Sequence, residues 1–185
     1  MKTIALFLSV LLPILASAQV APQEITTQNG QTFLVGKIDL AAFESQPYTA
    51  WYSKNHLAYQ VDEKMILPHK KTLNSYKILV FMGTWCGDSK REVPRFIKIL
   101  ETFDFPTKNL KIVALDGRKD HYKKSPAGEE WGLNIIKVPT FIFYKNGKEV
   151  NRIVESPVGS LEQDIVKIIN GESYSPNYSK TLHSD

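Results

Sequence analysis

The chain has 185 residues, of which 43% are apolar and 23% are charged. This composition fits one globular domain with extensions and excludes a wholly disordered chain. The net charge of +4 comes from scattered basic residues without a basic stripe interleaved with aromatics, so no nucleic-acid partner is expected.

Residues 1–18 have the pattern of a signal peptide. Lys2 precedes the apolar run IALFLSVLLPILA, and residues 16–18 form an A-x-A cleavage site before Gln19. The apolar run is short for a membrane span. We therefore expect a mature chain that works in a periplasmic or secreted location, without stable membrane insertion. An uncleaved anchor helix is the alternative.

The segment 19–74 is predicted to be an N-terminal extension. TFLVGKIDL at 32–40 alternates in polarity and predicts a strand with a break at Gly36. A helix is predicted after Pro47, where aromatic residues recur at roughly helical spacing and favour core packing.

From residue 77 onward, runs typical of strands and of helices follow one another. KILVFMG at 77–83 is a continuous apolar run, typical of a strand buried on both faces. Residues 88–103 carry apolar side chains at steps of three, four and seven, which predicts an amphipathic helix. LKIVALD at 110–116 predicts a second buried strand, and the three elements together predict a parallel βαβ unit.

The C-terminal part carries signals for a short helix and a hairpin. Ser125 as a cap and Pro126 at the first helical position predict the short helix. Asn146-Gly147 lies between two β-rich runs and is the favoured two-residue hairpin turn. The order of elements predicts an α/β fold with a central mixed β-sheet flanked by helices.

A last helix is predicted before the C-terminus. Ser160 and Gln163 form a capping-box pattern at its start, and Gly171 marks its end. Residues 172–185 are predicted to be a polar, frayed tail.

Cys86 is the only cysteine, so an internal disulfide is impossible. In an oxidising compartment such a residue is a reactive thiol, an intermolecular link or a buried bystander. It falls at the predicted start of a helix, where unsatisfied N–H groups and the positive dipole end favour a thiolate. Trp85 would shield one side of the sulfur, and Gly87 would let a substrate chain approach closely.

Four stretches occur in the order found in one family. WCGDSK at 85–90 stands in for W-C-G-P-C-K, Pro94 falls at a helix-kinking proline, VPT matches a cis-proline loop, and FYKNGKEV matches the following hairpin. Over roughly residues 75–170 the chain resembles the thioredoxin superfamily. It looks like a secreted thioredoxin-like protein with a C-x-x-S monothiol site.

The resemblance implies a thioredoxin-like domain over 75–171 and a cis bond before Pro139, in a loop that faces Cys86. Val138 would then offer its backbone N–H and C=O to an extended substrate segment, as in strand addition. The implied substrate-binding residues are Trp85, Gly87, Asp88, Val138 and Pro139.

Three residues depart from the family pattern. Ser89 replaces the second cysteine and cannot attack a mixed disulfide, although its hydroxyl and N–H can donate hydrogen bonds to a Cys86 thiolate. Asp88 replaces an uncharged residue and disfavours a nearby thiolate unless the basic residues after it offset its charge. Val80 stands where the family commonly has a buried acid that assists the resolving step.

These residues predict a monothiol thiol–disulfide exchange protein of isomerase or reductase type, with Cys86 and Ser89 as the catalytic pair. Its partners would be protein or small-molecule thiols and disulfides, with an external thiol as reductant. No metal or organic cofactor is implied. The alternatives are a redox-inactive thioredoxin-like peptide-binding module and a structural remnant with an inert thiol.

Overall fold

A computed structural model describes residues 22–182. The predicted signal peptide lies outside the described residues. Six strands form one sheet: β1 Gln23–Thr26, β2 Thr32–Ile38, β3 Lys77–Met82, β4 Leu110–Ala114, β5 Thr140–Lys145 and β6 Lys148–Val154. The described helices are α1 Tyr48–Ala58, α2 Glu63–Ile66, α3 Lys70–Leu73, α4 Gly87–Thr102, α5 Leu161–Asn170 and α6 Ser179–Leu182.

The sheet has the order β1-β2-β4-β3-β5-β6. Strands β3 and β4 are parallel and joined through α4, so the predicted βαβ unit is confirmed. The other neighbouring strands pair antiparallel. The predicted α/β class, with a mixed sheet flanked by helices, is therefore confirmed.

The two faces of the sheet bury separate apolar clusters. Side chains alternate between the faces, so Val80 lies in the larger cluster while Phe81 lies in the smaller one. Buried residues of α4 and α5 belong to the larger cluster. The smaller cluster includes Val138 and packs against Trp85 and Cys86. The sheet therefore carries the thiol at the edge of its smaller core.

The N-terminal segment is continuous with this sheet and core. Strand β2 pairs with β4, and the Leu34 N–H donates a 2.8 Å hydrogen bond to Thr84 Oγ1, just after β3. Helix α1 begins after Pro47, as predicted, and packs on α4. The predicted strand is present as β2. Gly36 does not end it, but its φ of 100° departs from extended geometry where the pairing with β1 ends and the pairing with β4 begins. The boundary after residue 74 stays a prediction, although sheet and core both cross it.

The predicted short helix at Ser125 is also wrong, because this segment forms turns. The Ser125 hydroxyl accepts the Glu129 N–H at 2.9 Å, one residue beyond the N2 and N3 positions that an N-cap side chain bonds. Gly128 and Gly132 then take φ values of 69° and 73°, a left-handed conformation that ends each helical turn. An irregular segment between β4 and β5 results.

The predicted hairpin turn between β5 and β6 and the predicted start and end of the last helix are confirmed. Asn146 and Gly147 both have positive φ, as a type I′ hairpin turn requires. The Ser160–Gln163 capping box is complete in both directions, and Gly171 ends α5 in the left-handed conformation.

The tail after α5 packs against the domain, so the prediction of fraying is wrong for the residues with the following contacts. The Tyr174 hydroxyl donates to Asp164 Oδ2 at 2.8 Å, and the Asn177 amide donates to Ser156 O at 2.9 Å. The buried carboxylate of Asp164 and the backbone carbonyl of Ser156 therefore bind side chains of the tail, which the polar composition of the tail does not predict.

Candidate active site

Cys86 lies between the end of β3 and the start of α4, as the sequence predicts. It is the N-cap residue of α4, with an extended backbone at φ −88° and ψ 130°. Its N–H donates to Gly83 O at 2.9 Å, which closes a tight turn after the strand. The residue is half-buried, and as the N-cap it directly precedes the unbonded N–H groups of the first helical turn.

The loop before β5 faces this sulfur. The Val138–Pro139 bond is cis, which confirms what the family resemblance implied. The Cys86 thiol donates to the Val138 carbonyl, with 3.3 Å between sulfur and oxygen. The Pro139 carbonyl accepts the Glu155 N–H at 2.7 Å, so the loop is tied to the chain after β6. The structure thus brings together three of the predicted site residues.

Ser89 occupies a different position from the one expected of a thiolate partner. Its side chain is fully buried, and its Oγ accepts the Gly83 N–H at 3.1 Å. The hydroxyl thus links the third residue of α4 to the end of β3 and satisfies a buried backbone donor. Its predicted hydrogen bond to Cys86 stays a prediction.

The Asp88 carboxylate is paired within its own helix. Arg91 Nη2 lies 2.8 Å from Asp88 Oδ1, and Arg91 Nε lies 2.5 Å from Glu92 Oε1. The hydrogen bond to Glu92, with a smaller contribution from Asp88, raises the pKa of Arg91. Arg91 therefore supplies a positive charge that offsets the charge of Asp88, a possibility that the sequence left open. Gly87, between Cys86 and Asp88, has open space where a side chain would begin, which suits close approach of a substrate.

The Trp85 ring is held by one backbone hydrogen bond and lies where two glycines leave room for it. Its Nε1 donates to Leu115 O at 2.8 Å. A Cβ atom at Gly83 would lie 2.6 Å from the ring, and one at Gly117 would lie 2.7 Å from it. The two glycines that follow β3 and β4 therefore make the space that Trp85 occupies. Their sequence signal was a glycine just after each of two predicted buried strands.

Tyr122 and Lys123 complete the surroundings of the thiol, and sequence reasoning missed both. The Tyr122 ring centroid lies 5.4 Å from that of Trp85. Lys123 is half-buried, and its Nζ donates to Ile136 O. These residues belong to the irregular segment after β4, where neither periodicity nor a motif points to Cys86.

The pKa of Lys123 is lowered by burial first and by the nearby charge of Lys137 second. The negative charges of Cys86, as a thiolate, and of Glu155 act in the opposite direction. The position of Lys123 follows from two contacts of its Nζ, with Ile136 O in the loop before β5 and with the ring of Tyr122.

Asp116, at the base of the same segment, is a buried carboxylate. Burial opposes its ionisation, but hydrogen bonds from the Arg118 side chain and backbone outweigh burial and hold the pKa of Asp116 below its ordinary value. The closest of these contacts is 2.6 Å, between Arg118 Nη2 and Asp116 Oδ2. The pair anchors the segment that carries Tyr122 and Lys123.

Among residues 22–182, no three His, Cys, Asp or Glu side chains are grouped so that they could hold a metal ion. Within the same range, no helix has the length and apolarity needed to cross a membrane.

The site is thus a single accessible thiol at a helix start, opposed by a cis-proline loop at the edge of a mixed sheet. The family model described as Thioredoxin matches residues 65–170, more than half of the chain. The chain therefore belongs to the thioredoxin family.

Three relatives illustrate how far the similarity extends. The chain is 36% identical over 90 residues to a TPR repeat-containing thioredoxin of Arabidopsis thaliana, covering 49% of this chain and 21% of that protein. It is 32% identical over 90 residues to a thioredoxin-like protein of Acanthamoeba polyphaga mimivirus, covering 49% and 60%. It is 35% identical over 100 residues to the H-type 1 thioredoxin of Nicotiana tabacum, covering 53% and 71%. The chain spans less than two thirds of the first two of these relatives.

Proposed function

We propose that this protein is a monothiol thiol–disulfide exchange protein that works outside the cytosol. The observation that carries the proposal is the placement of Cys86. Its thiol is accessible at the start of α4 and faces the Val138 carbonyl, whereas the position of a second thiol holds the buried Ser89. One sulfur can therefore form a mixed disulfide, but this site offers no second sulfur to resolve it.

The reaction proceeds by two exchanges. The Cys86 thiolate attacks one sulfur of a disulfide R–S–S–R′, forms the mixed disulfide Cys86–S–S–R and releases R′–S⁻. An external thiolate R″–S⁻ then attacks the R sulfur, forms R–S–S–R″ and returns Cys86 as a thiolate. Atoms and charge balance in both steps, and no metal or organic cofactor takes part. The external thiol is a second thiol of the substrate, a small thiol or another protein.

The Val138 carbonyl connects substrate docking with activation of the thiol. In the free protein this oxygen accepts the Cys86 S–H. A substrate segment that lies along the loop as an added strand would donate its own N–H to the same oxygen. The thiol would then lose its acceptor, which favours loss of its proton at the moment when the nucleophile is needed.

The predicted leader supports the compartment, and the lone cysteine agrees with it. A thiol without an internal partner meets disulfides in an oxidising compartment, where substrates for isomerisation and for removal of small-thiol adducts occur. Efficient net oxidation of dithiols does not suit a site with one sulfur.

Trapping of the mixed disulfide tests the proposal. Reduced mature protein is mixed with cystamine, and intact-mass measurement follows the adduct before and after addition of a free thiol. We expect one cysteamine adduct per chain, its release by the free thiol, and no adduct on Cys86→Ser. A wild-type protein that forms no adduct in its folded state, but forms one after unfolding, would show a shielded thiol and refute the exchange reaction.

A peptide-binding module is the second candidate, and the aromatic surface beside the loop favours it. Trp85 and Tyr122 lie in contact next to the segment that holds Val138. Under this function Cys86→Ser keeps the affinity of the wild type for an extended peptide, whereas exchange activity is lost in the same variant. A peptide titration of both proteins therefore separates the two candidates.

A further inference from the structure

The segment that follows β4 folds back so that Lys123 faces the site. The Asp116 N–H donates to Lys124 O, and the Lys123 N–H donates to Asp116 O, both at 2.9 Å. Lys123 takes a left-handed backbone with φ 58°, which is uncommon for a residue with a side chain. The ion pair between Asp116 and Arg118 anchors this turn. The conformation of Lys123 is therefore set by specific backbone contacts.

The Lys123 ammonium lies between the two structures that hold the thiol. Its Nζ donates to Ile136 O, two residues before the Val138 carbonyl that accepts the Cys86 thiol. The same Nζ lies 5.1 Å from the centroid of the Tyr122 ring, and this ring contacts Trp85. One cation thus bridges the cis-proline loop and the aromatic side of the site.

Four other charged groups near the site form two ion pairs. On α4, Asp88 is paired with Arg91. Beyond the loop, Lys137 Nζ lies 3.0 Å from Glu155 Oε1. The hydrogen-bond partner of Lys123, in contrast, is a neutral carbonyl, so the positive charge of Lys123 is not cancelled by this contact.

The charges of Lys123 and of the Cys86 thiolate attract each other, and this attraction is mutual. Opposite charges attract, so a thiolate at Cys86 and the ammonium of Lys123, which both contact the loop before β5, would stabilise each other. In a monothiol reaction Cys86 is the attacking thiolate in the first exchange and the leaving thiolate in the second. A neighbouring cation increases the fraction of Cys86 present as thiolate for the first step and stabilises the leaving thiolate in the second.

We propose that Lys123 is a positioning residue for the exchange reaction, whose ammonium stabilises the Cys86 thiolate and draws reagents with a negative charge near their sulfur. This inference rests on the proposed function and names its preferred substrate class: anionic disulfides and thiols. Lys123 acts through the thiol and need not form a bond with the substrate.

The test compares alkylation of reduced mature protein by neutral iodoacetamide and by anionic iodoacetate, from pH 5 to pH 10. In Lys123→Met, loss of the cation should lower the rate of the iodoacetamide reaction at neutral pH about three- to tenfold. In the same variant, the ratio of the iodoacetate rate to the iodoacetamide rate should also fall, about two- to fivefold below the wild-type ratio.

Two variants make the result specific to this position. Lys123→Arg keeps the positive charge, so its alkylation rates and its iodoacetate-to-iodoacetamide ratio should stay close to those of the wild type. Lys124→Met removes the same charge from the adjacent, exposed residue and should leave both close to those of the wild type. A Lys123→Met profile that matches the wild type, or a Lys124→Met variant that shifts as far, would overturn the inference.

The wild-type protein provides a measurement that needs no variant. If Lys123 attracts the anionic reagent, the iodoacetate-to-iodoacetamide ratio should fall as salt rises from about 0.01 M to 1 M, because the screening length shrinks from about 30 Å to about 3 Å. A ratio independent of salt would refute the attraction even if Lys123→Met fails to fold. Alkylation involves no disulfide, so failure of the exchange assay with a normal Lys123 effect would refute the proposed function alone.

Discussion

Replacement of Ser89 by cysteine should convert the site into a redox-active pair. Cys86 is the N-cap of α4 and Ser89 is its third residue, so one helical turn separates them. In such a turn the Cα atoms of residues three apart lie about 5 Å from each other. Disulfides span Cα separations of about 4.4–6.8 Å. We therefore expect Ser89→Cys to form an internal disulfide with Cys86 under mild oxidant.

The cost of this change follows from the hydrogen bond that Ser89 makes. The buried Ser89 Oγ accepts the Gly83 N–H at 3.1 Å, and sulfur is a weak acceptor in its place. A weakened buried donor should lower the free energy of unfolding of reduced Ser89→Cys by about 1–2 kcal/mol. Closing a four-residue loop by the disulfide returns about 2 kcal/mol in the chain-entropy model. The oxidised variant should therefore be about as stable as the wild type.

Thiol counting and urea denaturation measure these two effects. Oxidised Ser89→Cys should show no free thiol when unfolded and a monomer mass. With dithiothreitol present as the reductant, the same variant should catalyse reduction of insulin disulfides. Ser89→Ala is the matched control, because it also removes the oxygen acceptor and should lose a similar free energy without gaining a sulfur. Two free thiols that persist under mild oxidant would refute the inferred geometry of the turn. Wild-type stability in Ser89→Ala would refute the assigned role of the hydroxyl.

Two further predictions concern the surroundings of the thiol. Gly117→Ala places a Cβ atom 2.7 Å from the Trp85 ring and should lower the urea unfolding free energy by about 1–3 kcal/mol, whereas Gly87→Ala, with open space, should stay within about 0.5 kcal/mol of the wild type. Equal losses in the two variants would contradict the packing of the ring. Arg118→Gln should lower stability at neutral pH, because the side chain of Arg118 holds the pKa of Asp116 below its ordinary value. A group with a lowered folded-state pKa contributes stability above its unfolded value, about 4, and loses it as pH falls through the folded value. Since the unfolded chains titrate alike, the stability advantage of the wild type over Arg118→Gln should shrink as pH falls from the folded-state pKa of Asp116 in the variant to its lower folded-state pKa in the wild type. A difference that persists unchanged at low pH would assign the effect to packing of the arginine.

The elements with strong local signals could be predicted from the chain alone. Strands β3 and β4 have apolar runs, and α4 has an amphipathic pattern. Both patterns are local and identify the side chains that are buried in the core. The Asn146-Gly147 turn specifies its own hairpin by backbone conformation. The cis bond before Pro139 came from the family resemblance, since local sequence does not distinguish it from a trans bond.

The wrong predictions share a physical cause. Ser125 and Pro126 have the sequence pattern of a helix start, but a cap contributes only about 1 kcal/mol and does not sustain a helix when glycines take left-handed conformations within the next turns. The tail after α5 looks solvated by composition, but Tyr174 reaches the buried Asp164 carboxylate, a partner whose burial depends on the packed domain. In both cases contacts outside the local window decide the conformation.

By itself, the sequence determined that this protein has one thiol, that the thiol lies at the start of a helix, and that serine stands where a second sulfur would resolve a mixed disulfide. These properties depend on residue identity and on periodicity within a few turns. Only the tertiary structure decided that Ser89 bonds to Gly83 and that Lys123 lies beside the site. Segments distant in the chain meet through the packing of the whole sheet, and no local pattern encodes which side chain of an irregular segment will face the sulfur.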